Sequence, residues 1–268
     1  MMKLFDAHCH LQDSRILSKT PQLIKAAQDS GVVNFAVNGV CEQDWLSVKQ
    51  LSITHPSVLP SFGLHPWYVT ERSPNWFNKL KEYFDSTPSA AVGEIGLDKG
   101  SHGKKIDFSE QVEVLRQQLE LAKELNKPAS VHCVRAYGDL LELMKSMGPF
   151  PAGVILHSYL GSAEMVPEFS KLDAPDALPK SNINSLFFVE GDTSLAERTT
   201  SSSTSDSSQA VTDASMLPKE TLNHPANIHN VLDYVASMLE ITKEELAELS
   251  YQNAVRIFSY EGSKLLQK

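Results

Sequence analysis

The chain has 268 residues, of which 41% are hydrophobic and 21% are charged, and it contains no apolar run long enough to cross a bilayer. This length suits a single domain, 1–268, with a full core, and nothing in the composition indicates a membrane or an obligate protein partner. The formal net charge of −9 argues against a wide basic face for nucleic acid, because phosphate contacts come mainly from Lys and Arg.

Cysteine usage indicates the compartment. Cys9, Cys41 and Cys133 form an odd set, and the chain shows no apolar signal core at its start. These features favour a reducing, intracellular location, cytoplasmic or nuclear, over secretion.

Short apolar segments alternate with amphipathic stretches over the first 158 residues. The apolar segments predict strands at 3–9, 33–39, 57–64, 90–97, 129–134 and 152–158. The clearest helix is predicted at 110–126, and Pro128 stops it just before the next strand. This alternation predicts parallel βα units, and therefore an α/β fold of the TIM-like (β/α) barrel type.

The pattern fails after the sixth predicted strand, although eight strands would close the barrel. A Ser/Thr-rich stretch at about 193–215 cannot bury enough apolar area to offset its ordering entropy, and it predicts a disordered loop. Helical patterns resume at 226–239 and 243–257. We therefore expect a barrel that is incomplete at strands 7 and 8.

The first strand ends in a possible metal-binding pair, His8 and His10. Side chains two positions apart on a strand point the same way, so both rings can face one cation, although two packed histidines would give the same pattern. Three later predicted strands also end in possible ligands, namely Glu94, His132 and His157. The carboxyl ends of barrel strands meet at one mouth, so these side chains are expected to converge there.

Several motifs resemble those of the TatD deoxyribonuclease family and occur in the family's order. They are Phe5-Asp-Ala-His-Cys-His-Leu11, Gly63-Leu-His-Pro66, Gly93-Glu-Ile-Gly-Leu-Asp98, Lys127-Pro128 through His132, Leu156-His157, Asp173-Ala-Pro175 and Asn253-Ala-Val-Arg-Ile-Phe258. The resemblance covers nearly the whole chain. It implies an amidohydrolase-type barrel that cleaves DNA with Mg²⁺ as cofactor, often at a 3′ end, so single-stranded DNA or 3′ ends are the expected substrate.

The resemblance also implies a division of labour among the candidate ligands. His8, His10 and Asp173 would bind one metal ion, His132 and His157 would bind a second, and Glu94 would bridge the two, with Glu94 and Asp173 catalytic. Two cations held in this way can orient a phosphodiester and activate a water molecule. The mixed ligands admit Mg²⁺, Mn²⁺ or Zn²⁺.

Two further residues are candidates for binding substrate. The resemblance places His65 beside the site, where it could contact a substrate phosphate. Arg135 could bind a phosphate from the loop after His132, although the arginine stands one place away from its position in the family's usual sequence.

The spacing between His157 and Asp173 departs from the family. Only 16 positions separate them, whereas a single βα unit takes roughly 30 residues, so about one unit is missing. If 162–172 is helical, Asp173 is expected at the wrong end of the barrel. If 166–172 instead forms a strand, that strand would carry Asp173 to the mouth.

Three functions therefore remain open. A two-metal DNA hydrolase of the TatD type, expected to be an exonuclease, accounts for the whole motif set. Hydrolysis of a small amide or ester is the alternative, because related barrels begin with the same histidine pair. An inactive metal-binding variant, produced by the missing unit, is the third.

Overall fold

A computed structural model describes residues 2–172 and 225–266. Its single sheet contains six parallel strands in chain order, each paired with the next. The strands are β1 (Leu4–Cys9), β2 (Val32–Asn38), β3 (Val58–Phe62), β4 (Ala91–Asp98), β5 (Ala129–Val134) and β6 (Val154–His157). The predicted α/β barrel architecture is confirmed, as a TIM-like barrel that is nearly closed by these six strands.

Helices follow each of the strands, as the alternation predicts. The helices are α1 (Thr20–Asp29), α2 (Trp45–Thr54), α3 (Trp76–Ser86), α4 (Phe108–Glu124), α5 (Tyr137–Met147), α6 (Val166–Ser170), α7 (Ile228–Leu239) and α8 (Lys243–Ile257). Asp107 caps α4, since its carboxylate accepts a hydrogen bond from the backbone N–H of Ser109 at 2.8 Å. None of the described helices is both long and apolar enough to cross a membrane.

Successive side chains along a strand point alternately into two apolar clusters. On β2, Phe35 and Val37 belong to the main core, whereas Ala36 belongs to a second cluster with the carboxyl end of α8. This alternation follows from the two-residue period of a strand. The register of β1 against β2 is irregular between Asp6 and Cys9, just where the histidine pair begins.

The residues at the end of α8 cover the amino-terminal end of the sheet. Phe258 is 1% exposed, and its ring stacks on that of Phe5 with centroids 5.1 Å apart. Beyond the helix, the hydroxyl of Tyr260 donates a hydrogen bond of 2.8 Å to the carbonyl of Ser89, just before β4. The opposite end of the barrel is therefore the one left for a site.

The segment that follows β6 is helical. A 3₁₀ turn at Ala163–Met165 leads into α6, so 166–172 does not form the upward strand that could deliver Asp173. The carbonyl of Leu172 accepts a hydrogen bond of 3.0 Å from the backbone N–H of Phe150, a residue that precedes β6. Leu172 therefore lies towards the amino-terminal end of the sheet. Asp173 and the predicted loop at 193–215 lie outside the described residues.

Candidate metal centre

The first group of possible ligands joins the end of β1 to β4. The Nε2 atoms of His8 and His10 lie 3.1 Å apart, and they lie 3.4 Å and 3.2 Å from Oε2 of Glu94. His8 is fully buried and the carboxylate of Glu94 nearly so. Three donor atoms from three side chains thus converge closely enough to bind one cation.

The second group shares the same carboxylate. Oε1 of Glu94 lies 3.2 Å from Nδ1 of His132 and 3.5 Å from Nε2 of His65. The two oxygens of Glu94 therefore face different groups of histidines, which suits a carboxylate that bridges two cations. A glycine permits this close approach of β4 to β5, because a Cβ at Gly96 would collide with the backbone carbonyl of His132.

Hydrogen bonds orient the rings of the first group. Nδ1 of His10 donates to the carbonyl of Asn38 at 2.9 Å, so its proton lies on Nδ1 and the lone pair on Nε2 faces Glu94. Nδ1 of His8 lies 2.8 Å from the hydroxyl of Ser130 on β5, which leaves its Nε2 facing the same carboxylate. Both rings therefore present Nε2 to one point.

Asp98 orients His132 from the end of β4. Its Oδ2 lies 3.1 Å from Nε2 of His132, and it also accepts a 2.6 Å hydrogen bond from the indole N–H of Trp67. A proton held on Nε2 by a carboxylate leaves Nδ1 of His132 as the atom that faces Glu94. Carboxylate–histidine pairs of this kind are common around metal ions.

His65 has the opposite arrangement. Its Nδ1 accepts a 3.2 Å hydrogen bond from the backbone N–H of Trp67, so in the neutral ring the proton lies on Nε2, the atom that faces Glu94. A protonated Nε2 can donate a hydrogen bond but cannot offer a lone pair to a metal ion. The geometry therefore suits the expected contact between His65 and a substrate oxygen.

His157 lies at the mouth but outside both groups. Its ring stacks on that of His8 with centroids 3.6 Å apart, and it pairs in register with His132 on the neighbouring strand. The expectation that His157 binds the second metal ion stays a prediction. Arg135 is exposed just after β5, and Asp173 is outside the described residues, so their expected roles stay predictions as well.

Burial and neighbouring charges set the protonation of the cluster. Burial alone would raise the pKa of Glu94, but the neighbouring His65, His8, His10 and His132 hold it well below its usual range. Burial and the nearby His157 lower the pKa of His8 to about 4. A charged carboxylate beside a neutral histidine is the combination that binds a divalent cation.

His132 differs from the other buried rings. Burial lowers its pKa, but the hydrogen bonds to Asp98 and Glu94 outweigh that effect and raise the pKa to about 9. In the metal-free protein the ring is therefore a cation between two carboxylates. A metal ion bound at Nδ1 would replace the proton there.

The sequence predicted candidate ligands but not the residues that orient them. Asp98 is the last residue of the quoted motif and of β4, yet its contact with His132 joins positions 34 apart. Ser130 was likewise not assigned to the site, and the contact of Trp67 with Asp98 was not predicted. Cys9 and Cys133, each next to a candidate ligand, are buried free thiols.

Comparison with known proteins agrees with this geometry. A family model described as TatD related DNase matches residues 5–259. The human protein named deoxyribonuclease TATDN3 is 27% identical over 99% of this chain and 97% of its own. A 3′-5′ ssDNA/RNA exonuclease TatD of Erwinia billingiae is 28% identical over 60% of this chain and 61% of its own.

The fold of a solved structure is also similar. YJJV, a TatD homologue from Escherichia coli K12, superposes with a TM-score of 0.76 at 22% identity, covering 96% of this chain and 98% of its own. At that identity the likeness supports the barrel fold alone. The sequence matches, in contrast, extend through the strands that carry the candidate ligands.

Proposed function

The chain belongs to the TatD-related DNase family of metal-dependent hydrolases, and we propose that it cleaves phosphodiester bonds in single-stranded DNA with two divalent metal ions. The observation that carries the proposal is the shared carboxylate of Glu94, whose two oxygens face two separate groups of histidines. Mg²⁺ is the proposed ion, since it suits phosphate substrates, and Mn²⁺ or Zn²⁺ could also bind these ligands.

The side chains of the proposed site fall into three groups: those that would bind metal ions, those that orient the ligands and those that would bind the substrate. His8 and His10 would bind one ion and His132 and His157 the other, with Glu94 between them, and Asp173 is the further proposed ligand of the first ion. Two bound ions would activate a water molecule for attack and would stabilise the leaving oxygen. Asp98 holds His132 in the tautomer that offers Nδ1.

His65 and Arg135 would act on the substrate. The N–H at Nε2 of His65 points into the cluster, where it can donate a hydrogen bond to a phosphoryl oxygen. The guanidinium of Arg135, exposed at the end of β5, would bind a second oxygen or a neighbouring phosphate. These donors stabilise charge on the phosphate as the attacking oxygen approaches.

DNA as the substrate is supported by the relatives. The similar proteins are named as a deoxyribonuclease and as a single-strand exonuclease, and the first of them aligns over 99% of this chain. The chain's net charge of −9 is compatible with a substrate that is held locally at the mouth. Removal of nucleotides from a 3′ end is the proposed mode.

The test is hydrolysis of a single-stranded oligonucleotide with and without Mg²⁺. We expect the wild-type protein to release nucleotides only with the metal, and His132→Ala to lose that activity because one group of ligands is gone. Lys3→Gln, an exposed substitution beside β1 at the other end of the barrel, is the matched control. Turnover of small amides or esters without cleavage of DNA would overturn the proposal, and so would failure to turn over any of these substrates.

A further inference from the structure

A cavity of about 470 Å³ opens beside the candidate metal centre, along the segment that joins β4 to α4. Its lining includes Asp98, whose carboxylate also contacts His132. Three lysines line it too, Lys99, Lys104 and Lys105. Asp98 therefore borders both the cavity and the proposed site, and three lysines contribute positive charge to the cavity lining.

The charges around the cavity are not equally available. Lys99 is paired with Asp139 at 2.6 Å, and its ammonium group lies 4.1 Å from the ring centroid of Phe108. Lys104 and Lys105 are exposed, and within 2–172 and 225–266 neither forms an ion pair. These two ammonium groups can therefore bind an incoming anion.

The acidic groups of the lining are directed elsewhere. The carboxylate of Asp98 accepts from Trp67 and from the backbone N–H of Gly100, and that of Asp107 accepts from the first turn of α4. Hydrogen bonds to N–H donors reduce the repulsion that these carboxylates exert on an anion. The net electrostatic effect of these charges near Lys104 and Lys105 thus favours the binding of a phosphate.

An aromatic surface connects the metal centre to these lysines. The half-exposed ring of Trp67 lies 6.1 Å from the ring of His132 on one side and 4.7 Å from that of His102 on the other. His102 is exposed and immediately precedes the turn Gly103–Lys105. The aromatic rings of Trp67 and His102 therefore lie between the candidate ligands and the lysine ammonium groups.

We propose that this Trp67–His102–Lys104–Lys105 surface binds the nucleotide next to the scissile phosphodiester. The base would stack on Trp67 and His102, and the following phosphate would bind Lys104 and Lys105. Stacking platforms beside basic residues are how proteins bind single strands without reading their sequence. The proposal rests on the proposed nuclease function, and it explains how a chain with a net charge of −9 can hold DNA.

The first test measures binding with Mg²⁺ present, using a fluorescein-labelled single-stranded oligonucleotide whose phosphorothioate linkages slow cleavage. We expect Lys104→Gln/Lys105→Gln to weaken the affinity about tenfold at low salt. The magnitude of the slope of log K against log salt should fall by about 0.7, since contact with one single-strand phosphate is lost and each such contact contributes about 0.7. Lys3→Gln/Lys25→Gln removes the same charge away from the mouth and should match wild type.

The outcomes separate this proposal from the proposed function. The proposed binding surface would be contradicted if the two double variants bound the oligonucleotide with equal affinity and equal salt slope. Failure of the wild-type protein to bind the oligonucleotide would also contradict it. A failure of the nuclease proposal would instead appear as absence of Mg²⁺-dependent cleavage by the wild-type protein on an unmodified strand.

A second test reports on stacking. Trp45 and Trp76 are buried, whereas Trp67 is half-exposed, so a stacked base should quench mainly the fluorescence of Trp67. We expect the oligonucleotide to quench wild-type emission and to leave that of Trp67→Phe nearly unchanged. Quenching of the same size in Trp67→Phe would show that the base binds elsewhere.

Discussion

The hydrogen bond on one nitrogen of each histidine decides what the other nitrogen can do. His10 donates from Nδ1 to a carbonyl and His132 is held at Nε2 by a carboxylate, so each can offer a lone pair to a metal ion. His65 accepts at Nδ1 and therefore presents an N–H. Three similar side chains thus have two different roles in one cluster.

This difference predicts opposite behaviour for two substitutions. His132→Ala should weaken Mn²⁺ binding by more than about 10-fold, because a proposed ligand that offers a lone pair is lost. His65→Ala should keep Mn²⁺ affinity near wild type while lowering kcat by about 100-fold, the usual cost of removing one donor to a reacting oxygen. Calorimetric titration with Mn²⁺ and steady-state kinetics measure the two effects. If His65→Ala lost most of its metal affinity and the other variant did not, His65 would be the metal ligand and the other histidine would not.

Asp98 offers a second test at the scale of a residue. Asp98→Asn keeps the size of the side chain but replaces the charged acceptor of His132 with an amide. We predict a loss of about 10- to 100-fold in Mn²⁺ affinity, confined to the ion that His132 would bind, since partners of ligand histidines have effects of this size. Asp107→Asn, a cavity-lining carboxylate that caps α4, is the control. Equal titration curves for wild type and Asp98→Asn would contradict the positioning role.

The sequence was sufficient to predict which residues approach one another, but not how they are oriented. His8, His10 and His157 lie at or just after the ends of their strands, whereas Glu94 and His132 lie within β4 and β5, and the parallel order of the strands brings these positions together. The acceptors and donors that set each tautomer lie far away in sequence. Those contacts depend on backbone positions to within an ångström, which residue patterns do not record.

At the scale of elements, the predicted strands match the structure closely. The helix expected at 110–126 is α4, and strand 129–134 has the predicted bounds. The irregular register of β1 was not predicted, because residue alternation assumes a regular strand. The spacing between His157 and Asp173 left helix and strand open for 166–172, and the structure has the helix α6.

The closure of the barrel by the end of α8 gives a prediction about stability. Phe258 is 1% exposed and stacked on Phe5, so Phe258→Ala should lower the free energy of unfolding by about 3–5 kcal/mol. Tyr234 on α7 is 67% exposed, and Tyr234→Ala should change it by less than about 0.5 kcal/mol. Urea denaturation measures both. A loss below about 1 kcal/mol for Phe258→Ala would show that α8 does not seal the barrel.

At the scale of the whole molecule, the two proposed metal sites should differ in strength. The four ligand-bearing strand ends precede residue 158, whereas Leu172 lies near Phe150, before the start of β6. A strand the length of β6 spans roughly 13 Å, far more than the one peptide link between Leu172 and Asp173. The first ion should therefore bind more weakly than the second.

This asymmetry predicts a small effect for one proposed ligand. Asp173→Ala should change Mn²⁺ affinity by less than about threefold, while His132→Ala removes most of the binding. Calorimetric titration of both variants measures the difference. An affinity loss in Asp173→Ala as large as that in His132→Ala would show that the chain brings its aspartate to the mouth and that the site has its full set of ligands.

The most direct test of a two-metal centre bridged by Glu94 is a calorimetric titration of the wild-type protein and of Glu94→Gln with Mn²⁺. The amide has nearly the size of the carboxylate but lacks the charge that would hold two cations together. We predict two ions of unequal affinity per wild-type chain. For Glu94→Gln we predict a wild-type circular dichroism spectrum, no pair of bound ions and no hydrolysis of single-stranded DNA. Two ions bound at wild-type affinity by Glu94→Gln, with normal turnover, would contradict the account.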